Sequence, residues 1–228
     1  MLTNRLITIE GVAGVGKTTA GRYLLKLFQK DEIIVKFLGN FEPIERESLL
    51  SEAIRRLIDK DRFLRIGWER ETALLIAELL ESIEEDVIPA LISNKIVIYE
   101  CYYAAILAYQ SARLKEYPRY QSCSNEELLN HTEKLISPFF KEIPIQKYTI
   151  LLTCSQDILR KRNEQRDQKP YNEEDEILSK RIYKMFLFLM ERINNCVIID
   201  TTNFKEKKDL YAYLNSIYNQ IKNNLLYE

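Results

Sequence analysis

Eight residues near the start of the chain, GVAGVGKT from Gly11 to Thr18, have the types and spacing needed to hold a polyphosphate. They fit the pattern G-x-x-x-x-G-K-[ST] in full, between an apolar run (RLITIE) and a helix-forming one (TTAGRYLLKLFQK). Gly11, Gly14 and Gly16 let the backbone turn tightly and approach an anion without a Cβ in the way. The loop residues Val12, Ala13 and Val15 add amides that point inward. The first turn of the following helix, Lys17 to Thr19, contributes its positive dipole end. Lys17 places a cation on the β- and γ-phosphates, and the Thr18 hydroxyl is a ligand for Mg²⁺. The pattern therefore predicts a site for ATP with Mg²⁺.

Two further features bear on what is done with the triphosphate. The segment LRKRNEQRDQK carries Arg160, Lys161, Arg162, Arg166 and Lys169. Arg162 and Arg166 are four apart and share a helix face. Basic groups closing over a triphosphate neutralise the charge that spreads over a transferring phosphoryl group, so these two arginines are candidate catalytic residues. The other feature is Glu100, which ends the run KIVIYE. Ligands of open parallel sheets gather at the carboxyl ends of strands, so Glu100 is a candidate to support the metal's water shell.

Five short apolar or β-branched runs read as buried strands: Arg5 to Glu10, Ile33 to Leu38, Lys95 to Glu100, Lys147 to Cys154 and Cys196 to Asp200. Helical patterns lie between them, including a long amphipathic stretch around Glu69 to Ser93 that Pro89 should interrupt. SQDILRKRNEQR follows the fourth strand, with Ser155 or Asp157 as its cap. Alternation of this kind predicts an α/β fold: a three-layer P-loop architecture with a five-stranded parallel sheet flanked by helices. The polar segment RDQKPYNEED reads as a mobile flap. No linker or repeat divides residues 1–228, so a single domain with a lid near residues 160–175 is expected.

Composition narrows the alternatives. Lys plus Arg (33) nearly balances Asp plus Glu (34) over 228 residues, which gives no support to a nucleic-acid polymer or a membrane as partner. Four scattered cysteines without a CxxC and a single histidine disfavour a zinc site and a histidine-based triad. Cys154 and Cys196 fit a core in a reducing compartment. With no apolar run of membrane-spanning length and no signal-peptide pattern, a cytoplasmic location is expected. His131 reads as a helix-surface residue and NQIKNNLLYE as a fraying helix end.

The order of these parts resembles the thymidylate kinase family. IEGVAGVGKTT is similar to that family's E-G-x-D-G-x-G-K-[ST]-T, FEP at Phe41 to Pro43 to its R-E-P, and VIYECYYAAILAYQ to its D-R-Y-x-x-S-x-x-A-Y-Q. LRKRNEQRD resembles its R-x-x-x-R lid. The resemblance implies phosphoryl transfer from ATP to a nucleoside monophosphate (dTMP in the family), and often a homodimer. By the same resemblance IIDTTN lies near the adenine.

The acceptor half departs from the family pattern. Ala13 stands where the family has Asp, Phe41 where it has Arg, and Glu100-Cys101 where it has D-R. From Glu71 to Ala112 there is no arginine, while Glu78, Glu81, Glu84, Glu85 and Asp86 are acidic. A phosphate beside unpaired carboxylates is repelled. Its cations are therefore sought upstream, among Arg55, Arg56, Arg62, Arg65 and Arg70, with Trp68 as a stacking face. Tyr103 and Gln110 are candidates to contact the base. Alternatively the acceptor is a nucleoside whose 5′-hydroxyl needs a base, and Glu42 is placed for that role by resemblance to deoxynucleoside kinases. A third reading is a nucleotide-binding protein without an acceptor.

Overall fold

The computed structural model describes residues 5–39, 49–60 and 66–226. The five apolar runs form β1 (Leu6–Glu10), β2 (Val35–Leu38), β3 (Ile96–Glu100), β4 (Tyr148–Thr153) and β5 (Cys196–Asp200). They pair in parallel in the order β2-β3-β1-β4-β5, with Leu6 opposite Val97 and Ile7 opposite Tyr148. The expected parallel α/β sheet is borne out. Every residue of β1, β3 and β4 is buried, which explains why those runs are continuously apolar rather than alternating. The edges differ: Ile198 on β5 is exposed, and Lys36 on β2 is ion-paired to Asp86 at 2.6 Å. A charged residue on an edge strand discourages pairing with another chain.

Helices α1 (Lys17–Lys30), α2 (Leu49–Lys60), α3 (Trp68–Ser82), α4 (Ile88–Ile92), α5 (Tyr103–Leu114), α6 (Asn125–Ile136), α7 (Gln156–Asp167), α8 (Glu173–Met190) and α9 (Lys207–Leu226) complete the described fold. Helix α1 buries Ala20, Leu24 and Phe28, the i, i+4, i+8 stripe of a helix lying on a sheet. The stretch expected to break at Pro89 does so: α3 passes through a π-helical turn, Ile83–Val87, into α4. Proline has no N–H for the Glu85 carbonyl and its ring presses on that oxygen, so the preceding turn widens. Helix α9 continues through the tail and buries Ile221 and Leu225, so this end docks rather than frays. His131 is half-buried, its ring 5.4 Å from that of Trp68 and its Nε2 2.8 Å from the Tyr120 hydroxyl, rather than on an open helix surface. Among the described residues no helix is long and apolar enough to cross a membrane.

Helix α5 is the central pillar. All of its residues except Tyr103 and Tyr109 are buried, and it packs against α3, α6 and α8. Its buried Arg113 is paired with Glu71, itself wholly buried, and with Glu116 at 3.1 Å. Burial raises the Glu71 pKa, while Arg113 and the Ile66 amide pull against that shift. Removing one partner of a buried pair strands the other, at roughly 3–5 kcal/mol. Arg113→Ala is expected to lose about that much stability in urea unfolding; a loss below about 1 kcal/mol would show that water already screens the pair.

Candidate active site

The sheet places β1 between β3 and β4, and the chain leaves β1 toward β2 on one side before later returning to β4 on the other. The crevice beyond the carboxyl end of β1 is thus the topological switch point, where ligands of open sheets bind. Glu10 ends β1 there, and GVAGVGKT turns from the strand into α1. Gly11 has φ +137°, and a Cβ on it would lie 2.4 Å from the Leu152 carbonyl oxygen of β4. Gly14 has φ +89°, and a Cβ there would meet Asn163 Oδ1 at 2.7 Å. Both positions require glycine for their backbone angles as well as for space. Gly16 caps α1, and its carbonyl accepts from the Ala20 amide at 3.0 Å.

Lys17 is buried, and its ammonium donates to the carbonyls of Gly11 (3.0 Å) and Val12 (3.2 Å). Burial alone would lower its pKa, but the acidic groups around it, Glu100 among them, outweigh that, so the lysine stays protonated. The Thr18 hydroxyl donates to both oxygens of Glu100, at 3.0 and 2.8 Å. The structure therefore brings together the two residues expected at a metal, one from α1 and one from β3. Val12 and Val15 pack into the core. The Ala13 carbonyl accepts from Asn163 and its amide hydrogen-bonds Tyr109. Thr19 is half-buried in the first turn of α1.

Arg162 reaches the loop. Its guanidinium donates to Thr201 Oγ1 (2.9 Å), the Thr201 carbonyl (3.2 Å) and the Val15 carbonyl (3.4 Å). Arg166, one turn further along α7, is exposed and ion-paired to Asp167. Ser155 has the extended backbone of a cap, but its side chain makes no capping bond; its amide donates to Thr202 instead. The segment expected as a flap, residues 166–175, holds a five-residue non-helical connection, 168–172, between α7 and α8. α7 ends at Asp167, Gln168 takes a left-handed turn, and Asn172 caps α8 by accepting from the Asp175 amide.

The acceptor candidates are more scattered. The Trp68 indole is buried and donates to the Gln110 carbonyl at 2.8 Å, and the Gln110 side chain accepts from Thr72 at 3.1 Å. These bonds lash α3 to α5, and they leave the Trp68 ring without an open face for stacking. Arg70 is exposed and lies near Gly67. Tyr103 is half-buried at the head of α5, its ring edge-on to Tyr102 and its hydroxyl bonded to Gln146. Arg55 is half-buried on α2, and Arg56 pairs with Glu52 on an exposed face. Phe41 to Pro43, with Glu42, and also Arg62 and Arg65, lie outside the described residues. The acidic stretch is not a row of unpaired carboxylates: Glu71 pairs with Arg113, Glu78 accepts from Ser51 at 2.9 Å, and Asp86 pairs with Lys36.

Three further residues, Glu10, Cys101 and Tyr109, lie around Lys17. Glu10 is wholly buried; one oxygen accepts from the Tyr102 amide at 3.1 Å and the other has no partner. Burial pushes its pKa up to about 8, against the pull of the Tyr102 amide and Lys17. A carboxylate closing an apolar strand was the available signal. Cys101 adopts φ +62°, and burial holds its thiol well above the usual range. Tyr109 is pushed up to about 12, chiefly by burial. The Glu10 shift predicts a pH dependence. Unfolded Glu10 releases its proton near 4.5 and folded Glu10 near 8, so between these values the native state holds the extra proton. Stability should fall as pH rises through that window and level off above it. Glu10→Gln should flatten this part of a Tm-against-pH curve, whereas an unchanged slope would mean another group is responsible.

A model of the family described as Thymidylate kinase matches residues 9–209. A probable thymidylate kinase of Pyrococcus horikoshii is 36% identical over 110 residues, covering 47% of this chain and 52% of that one. The thymidylate kinase of Akkermansia muciniphila is 32% identical over 123 residues, 54% of this chain and 56% of its own. The chain thus spans about half the length of the curated relatives it matches. The structure of thymidylate kinase from Candida albicans superposes with a TM-score of 0.71 over 96% of this chain and 93% of that one, at 20% identity, a likeness of fold. With a family match that runs from the end of β1 into α9, this chain belongs to the thymidylate kinase family.

Proposed function

We propose that this chain transfers the γ-phosphoryl group of ATP to a nucleoside monophosphate, with dTMP the acceptor that its family indicates. The observation that carries this reading is the constellation at the end of β1. Lys17 is poised on the loop carbonyls, and the Thr18 hydroxyl sits against the Glu100 carboxylate. A hydroxyl and a carboxylate meeting at the foot of an anion-binding loop form the oxygen donor set that suits Mg²⁺. Held by Thr18 and Glu100, the ion would offset the negative charge of the triphosphate.

The chain's own residues supply the rest. The loop amides and Lys17 hold the triphosphate, and Arg162 and Arg166 neutralise charge on the moving group. An oxygen of the acceptor phosphate forms the new bond to the γ-phosphorus. The bond from that phosphorus to the bridging oxygen breaks, and ADP departs with the electron pair. Tyr103 at the head of α5 faces the acceptor, while Gln110 and Trp68 act by holding α5 to α3. Arg70 supplies positive charge at the start of α3, and residues around 160–175 serve as a lid. A cytoplasmic single-domain enzyme, assembled as a homodimer and acting on nucleotides rather than on nucleic acid or membranes, completes this reading.

ADP release, measured with each nucleoside monophosphate and each nucleoside in turn, tests it. Turnover with dTMP and little with thymidine is the expected result. Turnover only with nucleosides would instead identify a deoxynucleoside kinase using Glu42 as base, and ATP binding with no acceptor-dependent release would identify a nucleotide-binding protein.

A further inference from the structure

Helix α7 grips the phosphate loop through two consecutive residues. Asn163, with no exposed surface, donates its Nδ2 hydrogen to the Ala13 carbonyl at 3.1 Å. Arg162 donates to the Val15 carbonyl at 3.4 Å. Gly14 lies between the two gripped carbonyls, close enough to Asn163 that a Cβ would touch its Oδ1, Cγ and Nδ2 at 2.7–3.0 Å.

The orientation of these carbonyls has a direct effect on the amides. The peptides are trans, so each C=O and the N–H of the next residue point in opposite directions. Drawing the Ala13 carbonyl toward α7 turns the Gly14 N–H away from it, and holding the Val15 carbonyl does the same for the Gly16 N–H. Carbonyls outward and amides inward is the arrangement an anion-binding loop needs.

We propose that Asn163 is a positioning residue for the triphosphate: it fixes the Ala13–Gly14 peptide with its N–H turned into the phosphate cradle. This inference rests on the function proposed above. Asn163 Oδ1 is buried without a hydrogen-bond partner, and an unpaired buried polar atom destabilises the fold. Leucine fills nearly the same space without that unpaired atom, and the Ala13 carbonyl that loses its donor belongs to a half-buried residue that water can reach, so folding alone does not call for an amide here. The donor half of the side chain has a use only in aiming the loop.

Asn163→Leu tests this. Calorimetry with ATP and Mg²⁺ should show the dissociation constant rising roughly tenfold, the worth of one well-aimed hydrogen bond to a charged group. KM for ATP should rise with it, kcat at saturating ATP should change far less, and Tm should stay level or increase. Asn163→Asp, which sets a second acceptor against the Ala13 carbonyl, should weaken ATP further and serves if the leucine variant does not fold. ATP affinity equal to wild type in the leucine variant, or in the aspartate variant where only that one folds, overturns the positioning role. So does weaker binding matched by a large fall in Tm, because that pattern marks a purely structural residue. If the wild-type chain binds no triphosphate, the functional reading fails first, and that result is visible before any variant is made.

Discussion

Lys17→Ala is expected to abolish measurable phosphoryl transfer, with kcat/KM falling on the order of a thousandfold or more. The ammonium is the one cation inside the loop itself, buried and held by the Gly11 and Val12 carbonyls at 3.0 and 3.2 Å. In a water-poor site a charge of this kind is worth far more than in solution, and it needs no reorganisation as charge develops. The alanine variant also leaves two loop carbonyls without their donor, so its Tm has to be followed in parallel. A folded variant that retains more than about a tenth of the wild-type rate would show that the loop amides alone carry the donor, and would remove Lys17 from the mechanism.

Glu100→Gln is expected to lower kcat roughly a hundredfold and to raise the Mg²⁺ concentration needed for half-maximal activity. The glutamine keeps one oxygen to accept from Thr18, now 3.0 and 2.8 Å from the two carboxylate oxygens, so the local packing survives and only the charge is lost. Glu10 cannot substitute. Burial raises its pKa to about 8, and one of its oxygens is taken by the Tyr102 amide. The readout is a Mg²⁺ titration of initial rate at saturating ATP. Identical titration curves for wild type and variant would take Glu100 out of the metal site and leave Thr18 as its protein ligand.

The donor half of the site was legible because its chemistry is local. Gly11 to Thr18 are contiguous, and their angles are set by a strand entering and a helix leaving, both visible as apolar periodicity. The parallel sheet was legible for a related reason: strands covered on both faces cannot hide their apolar composition. Glu100 could be read from its place at a strand end, although its contact with Thr18 joins residues 82 positions apart.

The acceptor half was misjudged where charge was counted along the chain. Glu78 and Asp86 stood in what looked like a repulsive row, yet their partners Ser51 and Lys36 come from other elements. Trp68 looked available because it is the only tryptophan and lies in a basic stretch, but packing against Gln110 and His131 uses it internally. Asn163 carried no signal at all, since nothing in LRKRNEQRD distinguishes a side chain aimed at Ala13 from one aimed at water.

By itself the sequence determined the phosphate-loop pattern and the kind of sheet that carries it, because backbone turns and hydrophobic periodicity act over a few neighbouring residues. Only the tertiary structure decided which carboxyl is buried, which charges are already paired and which side chain reaches the loop. Those properties depend on desolvation and on contacts between distant segments, and neither is encoded in any short stretch of residues.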